Sequence, residues 1–145
     1  MLAKSFVALA LILCISLVAS GQETKDKSAL NGTWLPQKME LGGVGFPEEI
    51  RKAIKLVVKD DKYTVSGASG LDQGSVKINA AATPKTMDII GVDGPNKGKT
   101  FLAIWELEGD KLHVCYDLTG KSRPTEFKSP EGSQLFLVTY EREKK

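Results

Sequence analysis

A chain of 145 residues has room for one ordinary domain with one core. Its 20 basic and 18 acidic side chains alternate along the whole length, so there is no basic stripe of the kind nucleic acid requires and no patch to attract an anionic membrane surface. One histidine and two cysteines are too few for the ligand set of a zinc centre.

Met1-Leu2-Ala3-Lys4 leads into an apolar run from Phe6 to Ala19, broken only by Ser16, and the next charge is Glu23. A basic start, a short apolar stretch and small residues behind it form the pattern of a secretory signal peptide. The run falls short of the roughly 20 apolar residues that carry a helix across a bilayer. Residues 1–20 are therefore expected to be a signal peptide, cut after Ser20 or Gly21, and the protein to be exported to the periplasm or beyond the cell. Cys14 leaves with that segment, so Cys115 becomes the sole thiol of the mature chain and has no internal partner. Burial as a small apolar side chain is its ordinary fate. The mature protein is expected to be a monomer with no attachment to the membrane.

Residues 21–29 are polar and charged, too poor in apolar side chains to join a core, and read as a flexible leader. The domain is expected over 30–142. Asn31-Gly32-Thr33-Trp34-Leu35 opens a first strand, with Pro36 marking an edge or a bulge. Gly42-Gly43-Val44-Gly45 breaks the chain, and 47–54 then reads as one short helix. Proline suits its first position, Glu48 and Glu49 suit its positive end, and Phe46, Ile50 and Ile54 at spacing four form one apolar face. A helix of that size would cover an open barrel end.

From Lys55 the period changes to two, and strands are expected at 55–59, 62–66, 74–79, 86–91, 100–107, 111–117 and 134–141. Short turns such as Asp60-Asp61 and Glu108-Gly109-Asp110 join most of them. With the first strand this makes an all-β chain of eight antiparallel strands. A small up-and-down barrel with one short helix after the first strand would remove every exposed edge; a two-sheet sandwich is the alternative. Alternation turns Tyr63, Val65, Val76, Ile89, Leu112, Val114 and Tyr116 inward, and His113 and Cys115 outward. On the strand at 100–107, Phe101, Ala103 and Trp105 face in, yet Leu102 and Ile104 make the other face apolar too, which points to a cover by the long loop at 118–133.

Leu30-Asn31-Gly32-Thr33-Trp34, the helix start at Phe46-Pro47, Gly94-Pro95-Asn96-Lys97-Gly98-Lys99-Thr100, Cys115-Tyr116 and Gly120-Lys121-Ser122-Arg123-Pro124-Thr125-Glu126-Phe127 follow one another in that order. Together they resemble the lipocalin-like domain family of exported, uncharacterised bacterial proteins of planctomycete type, over 30–142. The resemblance implies a lipocalin-like barrel and export, and it implies no known activity. His113 stands where members of that family commonly have lysine or another polar residue, so it is not read as a shared catalytic group.

His113 and Cys115 share one strand face, but no third group orients them as a nucleophile and base. Asp72, Asp88, Asp93 and Asp110 stand at separate turns without the spacing of a calcium loop. No enzyme, metal or cofactor is therefore expected. The candidate ligand contacts are the aromatic residues Trp34, Tyr63, Trp105 and Tyr116, which would line a cup, and Arg123, Glu126 and Phe127 in the longest loop. The competing reading has Phe127 plug the barrel end while Arg123 and Glu126 tie the loop down. The expected function is binding of a small apolar or amphipathic ligand; the alternative is a filled barrel that meets a protein partner through the 118–133 loop. Closure should bring Trp34 on the first strand beside Arg142 on the last, the guanidinium stacking on the indole. The signal-peptide reading predicts that N-terminal sequencing of the mature protein begins at Gly21 or Gln22; an intact Met1 on membrane-bound protein would replace cleavage with an anchor.

Overall fold

A computed structural model describes residues 25–67 and 69–144, so the signal segment and the first residues of the leader lie outside the described residues. Nine strands form one antiparallel sheet: β1 (Gly32–Leu41), β2 (Val44–Gly45), β3 (Lys55–Lys59), β4 (Lys62–Gly67), β5 (Gly70–Asn79), β6 (Lys85–Asp93), β7 (Thr100–Glu108), β8 (Lys111–Asp117) and β9 (Leu135–Arg142). Each of β4 to β9 pairs with the strand before it, β1 with β3, and β9 returns to β1. The result is the expected closed eight-stranded barrel, with β2 as a two-residue extension of β1.

Period-two alternation builds the wall. In β3, Leu56 and Val58 are buried while Lys55, Val57 and Lys59 are exposed, which is the pleat of a strand with one dry face. β1 serves two neighbours: Gly32 to Trp34 pair with β3, and from Trp34 to Leu41 it pairs with β9. Its register shifts between Pro36 and Lys38, where proline lacks the N–H that a regular ladder would use. The bulge bends one long strand around the seam.

At the base of the barrel, Trp34 and Arg142 are direct cross-strand partners. The guanidinium carbon lies 4.3 Å from the indole centroid, so the stacking expected from the sequence is present. Arg142 also donates to the carbonyls of Asn31 and of Ala29, the latter at 2.7 Å, and its Nε to Asp110 at 3.3 Å. Gly32 has φ +139°, and a Cβ there would lie 2.7 Å from an Arg142 nitrogen. The glycine two before the tryptophan is thus the space that the arginine occupies.

The leader reading needs correction. Residues 25–29 form a helical turn, α1, and Asp26 is buried. Its carboxylate meets Lys85 Nζ at 3.3 Å, and that ammonium sits 5.1 Å from the Trp105 ring centroid. Leu30, just beyond α1, accepts the Trp34 indole N–H at 2.9 Å. The segment is poor in apolar side chains, but it is held by backbone carbonyls and the Asp26–Lys85 ion pair, which hydrophobic patterning does not register.

The second helix, α2 (Glu48–Lys52), is shorter than expected and begins after an extended Pro47. It lies at the opposite end of the barrel from α1, in the connection between β2 and β3. The 118–134 segment lies against the outer wall: Cys115 Sγ donates to Lys128 O at 3.4 Å, and the outward-facing Ile104 and Cys115 are 1% and 0% exposed. The double-sided cover expected for β7 is supplied by this loop.

Trp34 is fully buried, so Trp34→Ala should cost about 3–5 kcal/mol. Arg142→Met, which keeps the apolar stem and removes the charge and three hydrogen-bonded contacts, should cost about 2–4 kcal/mol. Urea midpoints check both; an Arg142→Met variant as stable as the parent would mean that the seam does not depend on this residue.

Candidate functional site

The barrel is hollow above the tryptophans. A cavity of about 440 Å³ opens at the end that carries α2, the β4–β5 turn and the β6–β7 turn, within the range of small-molecule pockets. Leu56, Val58, Val65, Val76, Ile89 and Val114 supply its apolar wall. Phe46, Ile50 and Ile54, the predicted apolar face around α2, line its mouth, and Ile50 remains 47% exposed. The helix therefore shelters the opening without sealing it.

The interior is hollow because bulk is unevenly distributed with depth. Trp34, Trp105 and Leu30 fill the base, while valines line the upper half; Gly74 is buried in β5. Gly74 stands opposite Gly91, and a Cβ on it would lie 2.7 Å from the Tyr63 ring and 2.0 Å from the Ile90 carbonyl oxygen. The missing Cβ leaves room for the Tyr63 ring beside β5.

Polar groups in the cavity are few. Tyr116 and Tyr140 place their hydroxyls 3.0 Å apart, with the Tyr116 ring 5.8 Å from that of Phe136, which lies 5.6 Å from Phe46. Nearer the mouth, Tyr63 donates to Asp72 at 3.2 Å, and Asp72 also accepts from the backbone and side-chain N–H groups of Asn96 at 3.2 and 3.0 Å. Burial pushes the Tyr63 phenol up, and the neighbouring Asp72 carboxylate pushes it further. Burial likewise pushes Tyr140 up to about 12 and raises Tyr116 well above its ordinary value, aided by the adjacent Tyr140.

Of the seven residues proposed from sequence, Tyr63 and Tyr116 line the cavity. Trp34 and Trp105 point inward as expected but pack at the base beneath it, Trp105 donating to Thr86 O at 3.0 Å. Arg123 is on the outer wall, where it donates to the carbonyls of Met87 and Ala103 at 3.1 and 2.8 Å and to Asp88 at 2.5 Å. It ties the loop down. Glu126 is exposed and 3.5 Å from Lys128, and Phe127 is half-buried and is not among the residues that line the cavity. The barrel end is sheltered instead by Phe46, Ile50 and Ile54. Tyr140 and Asp72 also line the cavity, and the sequence does not single them out: Tyr140 falls within the last predicted strand, and Asp72 stands beside a turn.

The loop starts from Asp117, whose buried carboxylate accepts from the N–H groups of Thr119, Lys121 and Ser122 and from the Thr119 hydroxyl. Burial alone would raise this carboxyl, but those donors together hold it below its ordinary value. The Cys115 thiol is raised by burial, with the Lys128 contact opposing, which makes it a poor nucleophile. His113 shares a 3.1 Å contact with Thr139 on the neighbouring strand. Among the described residues no group of three or more His, Cys, Asp or Glu side chains could hold a metal ion.

Among solved structures, a DUF4847 family protein from Bacteroides vulgatus is similar to this chain, with a TM-score of 0.49 and 13% identity over 80% of this chain and 95% of that one. No family model matches the sequence, and no curated protein matches it at a significant level.

The chain's 3 tyrosines are all held in the phenol form by the fold. A phenol whose folded value is raised contributes stability below its ordinary value of 10.0 that is lost as pH rises through the folded one. Spectrophotometric titration should therefore show no phenolate near pH 10 and a cooperative rise only when alkali unfolds the protein. A normal, reversible titration of even one tyrosine would mean that its hydroxyl is solvated and not buried as described.

Proposed function

We propose that this protein is an exported, lipocalin-like binding module whose barrel takes one small apolar or amphipathic molecule. The observation that carries the reading is the cavity of about 440 Å³, apolar on nearly all sides and open at one end. Eight-stranded barrels are just wide enough either to be packed solid or to hold one small ligand, and the valine-lined upper half favours the second outcome. The N-terminal segment supports export, and the raised Cys115 thiol, with no base and orienting group beside it, supports binding without catalysis. The loop's Arg123 is engaged by the wall of its own barrel, which leaves it little to offer a protein partner.

The test is fluorescence titration with N-phenyl-1-naphthylamine, a neutral probe that brightens in apolar surroundings. Val76 lines the cavity, and Val76→Trp should fill the space with little loss of melting temperature while weakening the probe roughly tenfold or more. One-to-one binding that is lost in Val76→Trp is the expected result. Binding equal in the two proteins would place the probe elsewhere and contradict the reading.

A further inference from the structure

The cavity's chemistry also selects the charge of its occupant, an inference that rests on the binding reading above. Among the described residues that line it, Asp72 is the single acidic side chain, and no lysine, arginine or histidine is present. A carboxylate or phosphate brought into this space would lose its hydration and find no cation to replace it. It would also meet a negative charge at the mouth, since Asp72 lies there with its donors already supplied by Tyr63 and Asn96. Most of the wall offers nothing to a polar group.

The exception is the tyrosine pair. Tyr116 and Tyr140 both line the cavity, and their hydroxyl oxygens are 3.0 Å apart. One O–H donates to the other oxygen, which uses one proton of the two. The hydroxyl that accepts still has its own proton to give, and the only hydrogen bond either hydroxyl makes among the described residues is the one between them. A donor inside an apolar chamber is a place for one acceptor atom.

We propose that the ligand is a neutral amphiphile of the alcohol, ketone or ester class, whose single accepting oxygen is received by the Tyr116–Tyr140 pair while its hydrocarbon part fills the valine-lined space. Anionic amphiphiles of the same length are rejected.

The experiment is displacement of N-phenyl-1-naphthylamine from the mature protein at pH 8 by 1-decanol and by decanoate, which share a chain length and differ in charge. Decanol should displace the probe at a concentration at least tenfold lower than decanoate. Asp72→Asn should narrow that ratio by admitting decanoate, and Tyr116→Phe/Tyr140→Phe should weaken decanol roughly three- to tenfold relative to the neutral probe, whose own affinity is measured in each variant. If the double variant does not fold by circular dichroism, Tyr140→Phe with Asp72→Asn carries the test. Decanoate binding as tightly as decanol would overturn the proposal and leave the cavity reading standing. Decanol affinity unchanged in a folded double variant would overturn the assignment of the tyrosine pair. If the probe itself fails to bind, the binding reading falls and this proposal with it.

Discussion

The seam between the first and last barrel strands is the constraint on which the remainder of the molecule depends. A sheet of eight antiparallel strands becomes a barrel only if its ends meet in register, and here Trp34 on β1 faces Arg142 on β9 directly. Three features converge at that point: the guanidinium lies over the indole, its nitrogens serve the carbonyls of Ala29 and Asn31, and Gly32 leaves the room it needs. The same contact fixes α1, since the chain leading into β1 is gripped by the arginine of the last strand. Closure and the sealing of the base are therefore one event.

Sealing one end with two tryptophans settles where space is left. Trp34 and Trp105 occupy the lower layer, and the strands rising from them present valine, glycine and tyrosine to the interior. The outer wall is reinforced by the 118–134 loop, which buries Ile104 and Cys115 and is anchored by Asp117 at its start and Arg123 across β6 and β7. A wall supported from outside keeps its shape around an interior that side chains do not fill. The mouth, by contrast, is sheltered only by a five-residue helix with an exposed Ile50. That helix stands where a ligand would pass.

The barrel was legible because period-two alternation and short turns are local signals, and the order of simple hairpins leaves little choice of topology. The pairing of Trp34 with Arg142 was also legible, since closure demands that first and last strands meet. Depth was not. Alternation says that Trp34, Tyr63, Trp105 and Tyr116 all face inward, but only register says that the two tryptophans lie beneath the cavity and the two tyrosines beside it. Tyr140 belongs to the site because its hydroxyl reaches Tyr116 across adjacent strands, a relation between residues 24 apart that no spacing rule supplies. The docking of α1 was missed for a different reason: backbone carbonyls and the Asp26–Lys85 pair hold it, and neither leaves a hydrophobic pattern to read. Arg123, a candidate ligand contact by sequence, works instead on the outside of the wall, where it binds β6 and β7.

The central claim is that the space inside this barrel is accessible to a neutral apolar molecule, and methyl-resolved NMR during a 1-decanol titration addresses it most directly. Val65, Val76, Ile89 and Leu118 face the cavity, whereas Val57, Ile90 and Val92 are exposed. The account predicts that the first set shifts together with one saturating curve while the second set stays in place. Shifts confined to Val57, Ile90 and Val92, or no saturable shift at all, would contradict it.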